Sequence, residues 1–83
     1  MNQNKYYKTN AFYLAAFLSA SGIALDSIEK TNFNKTIFVF KNTRETQDLV
    51  RVFNFGKEDD TKLLVNFKKV EAEIKHLKSL IYD

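Results

Sequence analysis

The sequence predicts an α+β domain: a small antiparallel β-hairpin, with the option of a third strand from the N-terminus, covered by three helices in the order (β)-α-β-β-α-α. Three observations predict it. Residues 36–41 read Thr-Ile-Phe-Val-Phe-Lys, a β-branched and aromatic run bounded by polar turns. Residues 11–21 are apolar nearly all round and stop at a glycine, the pattern of a buried helix with a glycine C-cap. From Leu63 the apolar residues Leu63, Phe67, Val70, Ile74, Leu77 and Ile81 recur at steps of four and three, close to a coiled-coil seam.

The elements follow in order. Lys5-Tyr6-Tyr7-Lys8 is a short strand or an extended lead-in. Thr9 or Asn10 caps the first helix, whose wide face carries Tyr13, Leu14, Phe17 and Leu18. Its other side carries Phe12, Ala15, Ala16, Ser19 and Ala20, small enough for a neighbouring element to approach closely. Gly22 ends it. Residues 23–30 form a strand in which Ile28 breaks the alternation of Ile23 and Leu25, the mark of a bulge. Residues 31–35 form a polar turn containing Phe33. The strand at 36–41 is apolar on both faces, which predicts helices over both faces of the hairpin.

Asn42 or Thr43 caps the second helix, with Glu45 three residues beyond Asn42 in near capping-box spacing. Its inner stripe is Thr46, Leu49, Val50 and Phe53, with Val52 at the edge; Arg44, Gln47, Asp48 and Arg51 lie outside. Gly56 ends it. Lys57-Glu58-Asp59-Asp60 is a charged turn, and Asp60 or Thr61 starts the long third helix. With no proline, no helix is interrupted from within.

The 83 residues form one domain, 1–83, without a linker, repeat or low-complexity segment. The absence of cysteine excludes disulfides and thiolate zinc sites, and with the lack of an apolar leader in Met1–Lys8 it places the chain in the cytoplasm. The longest apolar run, 11–18, is too short to span a bilayer. The net charge of +3 is concentrated before residue 42, where Lys5, Lys8, Lys30, Lys35 and Lys41 face Asp26 and Glu29. That admits nucleic acid as a partner but lacks the dense basic face of a dedicated binder.

Chemistry-bearing patterns are sparse, and no enzymatic activity or cofactor is expected. His76, the one histidine, sits on the outward side of the third helix without a triad around it. Glu58-Asp59-Asp60 lacks the alternating ligands and central glycine of a calcium loop, so no metal site is expected there. Two glycines, Gly22 and Gly56, cannot build a phosphate-binding glycine loop.

Two functional surfaces remain. One is the seam Leu63, Phe67, Val70, Ile74 and Leu77, which is either core or a protein interface. A helix of about 20 residues spans about 30 Å, longer than a hairpin covers, and Val65 and Leu80 add apolar surface off the stripe. Those features point to a homo-oligomer, most simply a dimer, or to another protein partner. The other surface is basic and aromatic. Lys5, Tyr6, Tyr7, Lys8 and Lys35 resemble a stacking-plus-charge patch for single strands, and Arg44 and Arg51 share a helix face at phosphate-gripping spacing. Packing over the sheet edge accounts for the former equally. Neutralisation by acidic neighbours, Asp48 four residues after Arg44 and Glu71 four before Lys75, accounts for the helix cations.

The runs Tyr7-Lys8-Thr9-Asn10, Ala15-Ala16-Phe17-Leu18 with Gly22, and Phe38-Val39-Phe40 with Thr43 together resemble a family. So do Leu49-Val50-Arg51 with Phe53 and the closing Leu77-Lys78-Ser79-Leu80-Ile81-Tyr82. It is a family of small uncharacterised bacterial and phage proteins, a domain of unknown function. The turn at 31–35 departs from that pattern in being longer and richer in Asn. The resemblance implies a shared fold, carries no catalytic residue, and implies a phage or mobile-element setting in which small proteins bind host factors.

Overall fold

A computed structural model describes residues 5–31 and 35–82. Phe33 lies outside the described residues. The element order is strand β1 (Tyr6–Thr9), helix α1 (Phe12–Ala20), strands β2 (Leu25–Lys30) and β3 (Thr36–Lys41), helix α2 (Arg44–Phe55), a 3-10 turn (Thr61–Leu63) and helix α3 (Phe67–Tyr82). The expected α+β class and order hold, and the N-terminal segment does join the sheet. Strand order is β1-β3-β2, antiparallel throughout, so β1 and β2 run parallel to each other on either side of β3, with α1 as the crossover. A two-stranded hairpin is marginal in water. The third strand gives β3 hydrogen-bonded partners on both sides.

The register puts Tyr7 and Leu25 opposite Phe40, and Ile28 opposite Phe38. These five side chains share one face, and all of them pack into the core with α1 and with Leu49 and Leu77. The helices therefore cover one face of the sheet, not both, and the molecule is a two-layer slab 19 Å thick. The apolar residues on the other face of β3 are handled differently. Lys8 lies opposite Val39 and Glu29 opposite Ile37, and Lys8 Nζ bonds Glu29 Oε2 at 3.0 Å across the central strand. Val39, flanked on both sides and spanned by that bridge, is only 3% exposed without a helix over it. Long charged side chains shield apolar surface with their methylene stems.

Helix α1 is buried on several sides because it touches the sheet, α2 and α3 at once. The alanines at 15, 16 and 20 permit the close approach expected of them, but Tyr13, placed on the wide face by sequence, stands in solvent. Neither Thr9 nor Asn10 caps the helix. Ala11 occupies the cap position without a side-chain bond, while the Thr9 hydroxyl accepts from the Ala11 N–H at 3.0 Å. The hydroxyl is used to tighten the turn out of β1. The C-terminus is as expected. Gly22 adopts φ +100°, the Ile23 N–H donates to Leu18 O at 3.0 Å, and the Gly22 N–H donates to Ser19 O at 3.1 Å. That pair of bonds is a Schellman closure, with Leu18 and Ile23 packed together in the core. The register slip between Leu25 and Ser27 is the expected bulge, and strand β2 begins at Leu25 rather than at residue 23.

Helix α2 is capped by Thr43, whose hydroxyl accepts from the Thr46 N–H at 3.1 Å. Thr46 is fully buried and donates its own hydroxyl to Lys41 O at 2.8 Å. It locks the start of the helix to the end of β3. The helix ends where the Gly56 N–H bonds Val52 O, and a Cβ at position 56 would lie 2.5 Å from that oxygen. Only glycine lets the chain leave this closely.

The long third helix is shorter than the seam suggests. Asp60 caps the 3-10 turn, its carboxylate accepting from the Lys62 N–H at 2.9 Å. The chain then leaves helical geometry until Asn66, whose side chain accepts from the Lys69 N–H at 3.2 Å and starts α3. Sixteen residues make a helix of about 24 Å. Leu63 and Val65 still reach the core, Leu63 from the end of the 3-10 turn and Val65 from the non-helical stretch before Asn66, neither from α3. The four-three spacing across 63–67 therefore mimics a helix that is not there.

Candidate interaction surfaces

The seam divides along its length. Leu77 is completely buried, and Ile74, Ile81, Leu63 and the off-stripe residues Val65 and Leu80 pack against the core. Val70 is half-buried. Phe67 is 74% exposed, and Leu64 beside it is exposed as well. Of the five residues Leu63, Phe67, Val70, Ile74 and Leu77, Phe67 alone offers most of its side chain to a second chain, and Leu77 offers none. Helix α1 supplies the surface that the hairpin could not.

The basic-aromatic patch also divides. Tyr6 pairs with Lys41 and faces the helix-free side together with Lys8, 43% of its surface exposed. Tyr7 points the other way into the core. Lys35 lies at the opposite end of β3 from Lys41, six residues or about 20 Å of strand away. Tyr6, Lys8 and Lys41 therefore share the helix-free side, with Lys8 engaged by Glu29, while Lys5 lies just before the strand, its carbonyl accepting from the Asn42 N–H at 2.9 Å. Strand register, not sequence position, brings Lys41 beside Tyr6 on the helix-free side. Arg44 and Arg51 are exposed on α2, but Arg51, not Arg44, is the residue that pairs with Asp48, at 3.0 Å. Glu71 pairs back to Lys68 at 3.8 Å rather than forward to Lys75.

A third surface went unseen in the sequence. Strand β2 is an edge of the sheet, with no strand on its outer side among the described residues. Between that edge and α3 runs a groove of ≈ 470 Å³ whose apolar lining comes from Ile23, Leu25, Ile28 and Leu80. Asp26, Glu73 and His76 also line it. His76 Nδ1 lies 3.6 Å from Glu73 Oε1. Asp26 reaches the groove because the bulge between Leu25 and Ser27 displaces it from the ladder. The signals were present as the broken alternation at Ile28 and the Glu73/His76 spacing of three, but nothing in one dimension places α3 beside β2.

Among the described residues no group of three or more His, Asp or Glu converges in a way that could hold a metal. Asp60 caps the 3-10 turn and not the long third helix it was expected to start, which begins at Phe67. No helix is long and apolar enough to cross a membrane.

Nearly the whole length of the chain, residues 4–83, matches one family. The chain belongs to the Domain of unknown function (DUF5659) family. No curated protein and no solved structure matches it. Family membership agrees with the expectation of a domain of unknown function.

Proposed function

We propose that this DUF5659 chain is a non-enzymatic protein-interaction domain that receives an extended segment of another chain along the free edge of β2. The observation that carries this reading is the pairing of an open strand edge with an apolar-lined groove beside it. Strand addition works through those two features: main-chain hydrogen bonds supply affinity, and pockets for alternate side chains supply selectivity. The bulge and the charged residues Asp26, Glu29 and Lys30 guard the edge against indiscriminate pairing. The ion pairs of the described residues are surface contacts and do not assemble an acid, a base and a nucleophile. Self-association through the α3 seam loses support, because most of its apolar surface is already used.

The test is amide shift mapping of labelled protein with neutral extended peptides rich in Val and Thr, alongside light scattering over a concentration series. Shifts confined to 25–30 and the neighbouring turn of α3 are expected. Unmoved amides with every peptide, together with a monomer at all concentrations, would end the proposal.

A second reading has one observation in its favour. Tyr6, Lys8 and Lys41 stand together on the face that no helix covers, an arrangement suited to stacking and phosphate contact with a single strand. It requires binding of an oligonucleotide that weakens steeply with salt and is lost in Tyr6→Ala. An unchanged affinity in that variant removes it.

A further inference from the structure

Resting on the strand-addition reading, we infer that the segment received at β2 is basic: a partner strand whose groove-facing side chains, every second residue, place lysine or arginine on either side of an apolar residue. A strand laid on the β2 edge turns every second side chain toward the helix side of the sheet, where Ile28 and Leu80 form an apolar wall. The charged groups at the same groove are one-sided. Asp26 and Glu73 line it, and no lysine or arginine does. Among the described residues Asp26 has no ion-pair partner. Glu73 has the nearby His76 imidazole and no permanent cation. This local negative sign stands out in a chain whose net charge is +3.

The two carboxylates are also placed to read sequence. Asp26 sits at the bulge, at the start of the strand, and Glu73 lies on the helical wall. A cation beside Asp26 and another facing Glu73 would flank the apolar contacts with Ile28 and Leu80. An acidic segment would meet like charge at both points, which sets selectivity as well as affinity. Lys30, at the end of β2, does not line the groove; its Nζ donates to Ile81 O at 3.2 Å, so its cation is turned toward the end of α3.

The experiment compares three extended peptides of about seven residues, a common strand length: Thr-Lys-Thr-Val-Thr-Lys-Thr, whose groove-facing residues are Lys/Val, and the same frame with groove-facing Thr/Val or Glu/Val. They are titrated against wild-type protein and followed by amide shifts. The Lys/Val peptide is expected to bind about tenfold more tightly than Thr/Val at low salt, or about 1.4 kcal/mol. Glu/Val should bind most weakly, and the preference should collapse at about 1 M salt. In the double variant Asp26→Asn/Glu73→Gln the preference should fall to about twofold or less. A control, Glu58→Gln/Asp59→Asn, removes the same charge elsewhere and should keep it.

Equal binding of all three peptides at β2 overturns the inference while leaving strand addition intact. Absence of binding by any peptide overturns both. A preference that falls equally in the control is a net-charge effect and overturns the inference. Concentration-dependent shifts at β2 without peptide, with a dimer in scattering, would show a second copy as occupant and overturn it as well.

Discussion

The division of the seam into a buried half and an exposed end makes a quantitative prediction at Leu77 and Phe67. Leu77 has no exposed surface and packs where α3 meets α1 and the sheet. Truncating a fully buried leucine to alanine costs about 2–5 kcal/mol, the lost transfer energy plus a cavity term. A domain of 83 residues is stable by about 4–12 kcal/mol at 0.05–0.15 kcal/mol per residue. Leu77→Ala should therefore remove a large share of the total. With a urea dependence of about 1 kcal/mol per molar, the midpoint falls by about 2 M or more. Phe67 begins the same helix and belongs to the same periodic stripe, yet it is 74% exposed. Phe67→Ala should change stability by about 0.5 kcal/mol or less. Urea unfolding followed by far-ultraviolet circular dichroism, with tyrosine fluorescence as the second probe, measures both in dilute monomeric solution. If Phe67→Ala destabilised as much as Leu77→Ala, the stripe would be one continuous buried seam, and the placement of α3 derived above would be wrong.

Four further experiments probe other parts of the fold. Thr46→Val keeps the shape of a fully buried side chain but deletes the bond to Lys41 O, which retains the Thr43 N–H; a loss of about 1 kcal/mol in urea unfolding is expected. Combined with Thr43→Ala, itself costing about 1 kcal/mol as a lost cap, it should be non-additive, because the two hydroxyls lie 3.1 Å apart. Gly22→Ala forces a side chain into φ +100° and should cost about 1–2 kcal/mol even though the space around it is open, with a lowered thermal midpoint as readout. Ser21→Ala should be neutral or slightly stabilising, because the buried Ser21 hydroxyl has no hydrogen-bond partner among the described residues. A double-mutant cycle on Lys8 and Glu29, both about half exposed, should give a coupling of about 0.2–1 kcal/mol that shrinks in high salt.

Local chemistry was legible where it was self-contained. Gly22 as a helix stop, the Leu25–Ser27 bulge, Thr43 as a cap and the apolar strand at 36–41 all express constraints among residues a few positions apart. Such constraints are written directly in the order of side chains. The candidate sites were less legible because each depends on long-range placement. Sequence spacing groups Tyr7 with Tyr6 as a ligand-facing aromatic, but pairing with Phe40 turns it into the core. Sequence spacing groups Lys35 with Lys5, but strand β3 carries it to the other end of the sheet.

By itself, then, the sequence determined the class, the element order and most of the caps, since backbone sterics, alternation and glycine freedom act over one or two turns of chain. The tertiary structure decided which apolar stripe is core, which sheet face lacks helices and what lies beside the β2 edge. Periodicity records that a face is apolar and not what covers it. Asn66 shows the limit most plainly. One side-chain bond to the Lys69 N–H restarts the helix and separates Leu63 from the seam it appeared to begin. The neighbours that bury Leu63 are fixed by packing across the whole fold.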